Sequence, residues 1–208
     1  MVEVGNQPFL DIILDYMASF GLRRFILGTG YKADVIEDYY RRNKRPGFDI
    51  LFSHEKTPLD TGGAVKNAKE LIKSKLFFVL NGDSFCRFNP IDFLNFHKKN
   101  KAILSILLKE VSSGKEYGEV QLDNDWRIKS FNEKCSRAKK CLVNSGVYIF
   151  NKQVFDIMPK KSRFSLEHEF FPSAISKKMY GYPKADFFID IGTPQRYRKA
   201  EKYFIKDS

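Results

Sequence analysis

Five consecutive apolar residues, Leu76-Phe77-Phe78-Val79-Leu80, run straight into Asn81-Gly82-Asp83. A strand that is apolar at every position is buried on both faces, as a parallel strand covered by helices would be. Similar punctuation recurs upstream. The spacing of Phe9, Ile12, Ile13, Tyr16, Met17 and Phe20 predicts a helix over 9–20, with Pro8 suited to a first turn and Gly21 to the stop. Phe25-Ile26-Leu27 reads as a short strand ending in Gly28-Thr29-Gly30, and Val35, Ile36, Tyr39 and Tyr40 mark a second amphipathic helix. A strand over 48–52, a polar loop with Pro58 and Gly62-Gly63, and a helix over 64–72 come next. Strands alternating with helices at this spacing predict βαβ units.

The pattern changes after Leu108. Strands are predicted over 117–122 and 126–131, separated by the turn signal Asp123-Asn124-Asp125, and again over 143–150. A helix over 165–177 follows, then a strand over 187–191 that is apolar except for Asp190. Thr193-Pro194 opens a final helix, a cap followed by proline at the first helical position. No repeat, low-complexity stretch or linker divides the 208 residues, so one α/β domain over 1–208 is expected, its sheet mixed but mostly parallel and flanked by helices.

Composition narrows the class. Hydrophobic residues at 43% and charged residues at 29% are an ordinary globular balance. No apolar run approaches the ~20 residues of a membrane helix, so no membrane partner is expected. Cys86, Cys135 and Cys141 show no CxxC spacing, which predicts free thiols and a cytoplasmic location. The net charge of +11 is concentrated in runs such as 41–45, 97–101, 139–140 and 160–163, between or after periodic segments. Such runs are solvated faces by default; they favour anionic small ligands, and no nucleic-acid motif accompanies them.

Two carboxylates carry the chemical argument. Asp83 sits where the predicted strand over 76–80 ends, the side on which open α/β sheets bind ligands. Asp190 lies within Phe187-Phe188-Ile189-Asp190-Ile191, where an ionised group needs a cation or donors. Each has a plain structural reading, a strand-end turn for Asn81-Gly82-Asp83 and a helix-capping role for Asp190. Together they could hold one Mg²⁺, which takes one or two carboxylates and fills its octahedron with phosphates and water. Thr61-Gly62-Gly63 reads as a glycine turn entering a helix, with backbone donors for a base or phosphate. It lacks the Lys-Ser/Thr of a P-loop and the GxGxxG of a dinucleotide fold. Glu133-Lys134 offers a hydroxyl acceptor beside a cation.

The order of these pieces resembles the sugar-1-phosphate nucleotidyltransferases, in particular the bacterial mannose- and heptose-1-phosphate guanylyltransferases. The matching segments include Val4-Gly5-Asn6-Gln7-Pro8, Thr29-Gly30-Tyr31-Lys32, Leu80-Asn81-Gly82-Asp83 and Phe131-Asn132-Glu133-Lys134. They continue through Asn144-Ser145-Gly146, Ser165-Leu166-Glu167 and Ile189-Asp190-Ile191-Gly192. The resemblance implies the family's Rossmann-like fold and the joining of a nucleoside triphosphate, here GTP, to a heptose- or mannose-type sugar 1-phosphate. Pyrophosphate is released, and the product feeds cell-surface polysaccharide synthesis. It also implies roles: Asp83 and Asp190 as Mg²⁺ ligands; Thr61, Gly62 and Gly63 at the base; Asn81 and Gly82 at the ribose. Gly118, Glu133, Asn144, Ser145 and Gly146 line the sugar, and Lys134 meets the sugar phosphate. Catalysis then falls to Lys134 and to Asp83 with its metal.

Measured against that family, Met1 aligns just after a Pro-Lys-Pro segment, so the family's first strand and glycine-rich phosphate loop are expected to be missing. Unpaired strand edges would favour self-association into a homo-oligomer. The competing expectation is a catalytically impaired remnant, or a non-catalytic binding partner that keeps the fold.

Overall fold

The computed structural model describes residues 1–112, 118–132 and 140–206. The chain opens with a hairpin of β1 (Glu3–Val4) and β2 (Gln7–Pro8), turned by Gly5 and Asn6 at φ of 59° and 67°. Two left-handed residues in a two-residue turn match the right-handed twist of the flanking strands, and Gly and Asn adopt them at low cost. Helix α1 (Phe9–Ser19) buries Phe9, Ile12, Ile13 and Met17, as its spacing predicts. Then come β3 (Arg24–Thr29), α2 (Ala33–Arg42) and β4 (Asp49–His54), a βαβ unit with parallel register from Arg24↔Asp49 to Thr29↔His54.

Helix α3 (Asp60–Asn67) and a short 3-10 turn (Ala68–Glu70) lead to β5 (Leu76–Leu80) and β6 (Ser84–Arg87). After α4 (Pro90–Lys99) come β7 (Leu104–Val111), β8 (Glu119–Leu122), β9 (Ile128–Asn132) and β10 (Cys141–Asn151). The chain then forms a π-helical turn (Leu166–Phe170), α5 (Phe171–Ala174), β11 (Met179–Tyr182), β12 (Phe187–Asp190) and α6 (Pro194–Lys206). The helix expected over 165–177 is thus one π turn and one α turn. Pro172 has no N–H to extend the ladder, and the segment turns at Lys177 toward β11.

The main sheet runs β11-β7-β10-β8-β9, with β5 also paired to β10. Parallel pairing occurs in β3/β4 and β11/β7, whereas β10 is antiparallel to β5, β7 and β8. A mixed sheet flanked by helices is what was expected; the mostly parallel pairing also expected did not form, because antiparallel pairings outnumber parallel ones among the described residues. The all-apolar run at 76–80 predicts burial of both faces, and that holds in part: Phe77 and Val79 pack on one core cluster and Phe78 and Leu80 on others, yet all five residues are only half-buried because they also line a cavity. Burial says nothing of direction, and β5 is antiparallel to its partner.

Core density is greatest where β7 and β10 cross the sheet. Leu104, Ile106, Leu107, Leu108, Ile149 and Phe150 are essentially inaccessible, and Phe164, Phe170 and Phe171 cover one face. By contrast, β3 and β5 each have a strand on one edge only among the described residues. Between them lies a cavity of about 1130 Å³ lined by Leu14, Met17, Phe25, Leu27, Phe78 and Leu80.

The cysteine expectation is corrected at one position. Cys141 is disulfide-bonded, Cys86 is free, and Cys135 lies outside the described residues. Pairing depends on approach of the two Cβ atoms in space, which linear spacing does not report. Burial pushes the Cys86 thiol up to about 12, so it behaves as a small hydrophobe.

Candidate active site

The chain turns at Asn81-Gly82-Asp83 from β5 into β6, which pairs with β12 in antiparallel register, Asp190 opposite Ser84. The Ile191 amide donates to the Asp83 carbonyl at 2.9 Å. Asp83, in the turn just ahead of β6, and Asp190, the last residue of β12, are 107 positions apart in sequence and are brought next to each other by that pairing. Their settings differ. Asp83 is exposed and accepts from Ser84 Oγ at 3.0 Å. Asp190 is 7% exposed, and its Oδ1 accepts from the Gly192 amide and from Arg196 Nη1, both at 3.1 Å. Asp190 does not cap the final helix: its bond to Gly192 lies ahead of α6, whose Arg196 amide donates instead to Thr193 Oγ1 at 3.3 Å, and the Asp190 contact to that helix is the ion pair with the Arg196 side chain. The donor set, two carboxylates beside a polar turn, suits a hard divalent cation once phosphate and water oxygens complete the shell. No group of three or more His, Cys, Asp or Glu side chains gathers among the described residues.

Thr61, Gly62 and Gly63 lie inside the first turn of α3 rather than ahead of it. The amides of Gly62 and Gly63 both donate to the Phe164 carbonyl, at 2.9 and 3.1 Å. A Cβ at Gly62 would stand 2.2 Å from the Phe164 ring, and one at Gly63 would stand 2.2 Å from the Ser162 carbonyl oxygen. Close packing thus explains both glycines, and these backbone donors are committed within the protein.

On the opposite side, β10 carries a bulge. Its register with β7 jumps from Asn144↔Leu108 to Tyr148↔Ile106. Ser145 is fully buried there, and its hydroxyl donates to the bypassed Leu107 carbonyl at 2.7 Å. Gly146 has φ of 73°, and a Cβ on it would stand 2.9 Å from Asn81 Nδ2. The Asn81 amide donates to the Gly146 carbonyl at 2.9 Å. Asn81 and the Asn144-Ser145-Gly146 turn are therefore in direct contact. Gly118 lies at the head of β8, where a Cβ would stand 3.1 Å from the Asn132 carbonyl oxygen at the end of β9. Glu133 and Lys134 lie outside the described residues.

One carboxylate to which the sequence analysis assigned no role connects these parts. Glu167, on the π turn, accepts from Thr61 Oγ1 at 2.7 Å and Ser165 Oγ at 3.0 Å on one oxygen, and from the Tyr148 hydroxyl at 3.1 Å on the other. Asn144 Nδ2 donates to Tyr148 Oη at 2.9 Å, while Asn144 Oδ1 accepts from the Gly146 amide, also at 2.9 Å. Tyr148 is wholly buried; that burial, with the Glu167 charge, pushes its phenol well above the ordinary value. Nothing in the spacing of 61, 144, 148 and 167 could have disclosed the chain of bonds. Arg196, the partner of Asp190, was hidden for the same reason.

The nucleotidyl transferase family profile matches residues 1–207. The chain belongs to the nucleotidyl transferase family. The resemblance read from its motifs holds over nearly the whole length. It is 36% identical over 203 residues to the D-glycero-alpha-D-manno-heptose 1-phosphate guanylyltransferase of Aneurinibacillus thermoaerophilus, covering 97% of this chain and 87% of that one. It is 32% identical to the mannose-1-phosphate guanylyltransferase of Mycobacterium tuberculosis, covering 99% of this chain and 58% of that one. The crystal structure of HddC from Yersinia pseudotuberculosis superposes with a TM-score of 0.88 at 34% identity, over 98% of this chain and 88% of that one. A second structure of HddC, complexed with GMP-PN, has a TM-score of 0.87. Among the described residues, no helix of this nucleotidyl transferase is long and apolar enough to cross a membrane.

Proposed function

We propose that this nucleotidyl transferase joins GTP to a heptose- or mannose-type sugar 1-phosphate and releases pyrophosphate, making a precursor for cell-surface polysaccharide. The observation that carries this reading is the placement of Asp83 beside Asp190, next to an Asn81 that touches the Asn144-Ser145-Gly146 turn. An oxygen of the sugar phosphate attacks the α-phosphorus of the triphosphate. The bond from that phosphorus to the β-phosphate oxygen breaks, and pyrophosphate leaves with the electron pair. No side-chain nucleophile is needed, so the protein works by positioning and by neutralising charge.

Asp83 and Asp190 would hold Mg²⁺, which supplies positive charge to the phosphate oxygens as charge develops. Thr61, Gly62 and Gly63 form the base side by shape, given that their amides are already bonded within the protein. Asn81 and Gly82 face the ribose; Gly118, Glu133, Asn144, Ser145 and Gly146 shape the sugar side; and Lys134 meets the sugar phosphate. Ser145 contributes by fixing the bulge, its buried hydroxyl being committed to the Leu107 carbonyl rather than to a ligand. A single domain acting in the cytoplasm, where nucleoside triphosphates are kept, belongs to the same reading, as does self-association through open strand edges.

A second reading, a fold-retaining binder without turnover, has one observation in its favour: Arg196 already places a positive charge on Asp190. One assay separates the two. Pyrophosphate release is measured with GTP, Mg²⁺ and D-glycero-α-D-manno-heptose 1-phosphate or mannose 1-phosphate, for the wild type and for Asp83→Asn. Turnover that falls by about a hundredfold or more in the variant supports the enzyme. Absence of turnover in the wild type, or equal rates, sinks it.

A further inference from the structure

We propose that Glu167 is a positioning residue that holds the nucleotide side and the sugar side of the cleft in fixed register. The inference rests on the assignment of Thr61 to the base and of Asn144 to the sugar made above. Each hydroxyl proton around Glu167 has a fixed direction. Tyr148 Oη accepts from Asn144 Nδ2 at 2.9 Å, which leaves the phenol proton to point at Glu167. Thr61 Oγ1 accepts from the Leu166 amide at 2.8 Å, so its proton also points at Glu167. Ser165 Oγ accepts from the amides of Glu167 and His168, both at 3.2 Å, and gives its proton to the same carboxylate. Three hydroxyl protons converge on two oxygens, and only a group that accepts on both can receive them all. Bonds to a charged acceptor are the stronger kind, so the carboxylate fixes these side chains more firmly than neutral partners would.

The two ends of this chain reach different parts of the cleft. One end is the start of α3, which carries Thr61. The other is the β10 bulge, where Asn144 holds the Gly146 amide and Gly146 in turn packs on Asn81. Glu167 itself sits on a π turn capped by Ser165, an irregularity that recurs at functional sites because it redirects a side chain.

A glutamine at this position keeps the shape but has one acceptor oxygen. With that oxygen turned to Thr61 and Ser165, which together supply two protons, its amide nitrogen faces Tyr148 donor to donor. Tyr148 must then turn its proton away, and Asn144 loses the geometry that holds Gly146. The damage falls on the sugar side.

The test is calorimetric binding of GMP-PN with Mg²⁺, and separately of D-glycero-α-D-manno-heptose 1-phosphate to the GMP-PN complex, for wild type, Glu167→Gln and Tyr148→Phe. Both variants are expected to weaken sugar phosphate binding about tenfold, the loss expected of one bond to a charged group, while GMP-PN affinity stays within about twofold. Tyr148→Phe cuts the same link from the other end and serves if Glu167→Gln fails to fold. A wild type that binds both ligands, with variants that shift both affinities equally or neither, overturns the inference and leaves the function standing. A wild type that binds neither ligand overturns the function, and the inference with it.

Discussion

Gly62 and Gly63 show how a single atom decides the sign of a substitution. Exchange of Gly for Ala inside a helix ordinarily gains about 0.5–1 kcal/mol. Here Ala at 62 would collide with the fully buried Phe164 ring, and Ala at 63 with a backbone carbonyl at 2.2 Å, which yields less than a side chain does. Both are expected to destabilise, Gly63→Ala by about 2–3 kcal/mol and Gly62→Ala by less, as read from urea midpoints. His97 gives a pH dependence. It is 1% exposed, bonds Ser105 Oγ through Nδ1 at 2.8 Å, and its Nε2 has no partner among the described residues. Burial pushes its pKa from 6.5 down to about 4. The folded protein therefore binds fewer protons than the unfolded chain in that window. Stability from this group is complete above about 6.5 and is lost as pH falls toward 4, by about 3 kcal/mol. Denaturation of wild type and His97→Gln across the same range should show the steeper acid loss in the wild type; parallel curves would show that His97 contributes nothing.

At the scale of elements, α1 and α2 are tied by one acid. Asp11 accepts from Tyr39 and Tyr40 hydroxyls at 2.7 and 2.8 Å and from Arg45 Nη1 at 3.0 Å. The basic run at 41–45 is thus partly neutralised within the protein, since Arg41 pairs with Glu37 and Asp38, and Arg45 with Asp11 and Asp15. Asp11→Ala leaves a half-buried guanidinium and a buried phenol without their acceptor, at an expected cost of about 2–4 kcal/mol. The hydrogen bond to Asp11, with burial adding to it, pushes the Tyr39 phenol up to about 12. In Asp11→Ala a spectrophotometric titration should find Tyr39 ionising closer to 10. An unchanged titration would mean that the carboxylate does not hold that phenol.

The molecule as a whole is unevenly secured. β10 is paired on both edges, to β7 and to β5 and β8, and its residues from Val147 to Phe150 are at most 2% exposed. The β3/β4 pair forms a sheet of its own, and a cavity of about 1130 Å³ separates it from β5. Local opening free energies follow buried contacts and paired edges. Native-state hydrogen exchange should therefore be slowest in β7 and β10 and distinctly faster in β3 and in the unpaired edge of β5. Uniform protection across all four strands would contradict this account of where the stability lies.

The sequence by itself determined the elements with strong local signals and the family. Helix α1 was legible because six apolar residues recur at helical spacing, β5 because its run is unbroken, and α6 because Thr193-Pro194 announces it. Asp83 and Asp190 stood out because each ends or interrupts an apolar strand, a local anomaly that needs no partner to be seen. Strand direction did not follow, since burial is indifferent to whether a neighbour runs parallel or antiparallel. The β10 bulge, the π turn at 166–170 and the use of the Gly62 and Gly63 amides were also undetermined, because each depends on a segment far away in sequence. Glu167 is the clearest case. Its place in Ser165-Leu166-Glu167 was visible, but its bonds to Thr61 and Tyr148, 106 and 19 positions away in sequence, exist only after the chain has folded back on itself.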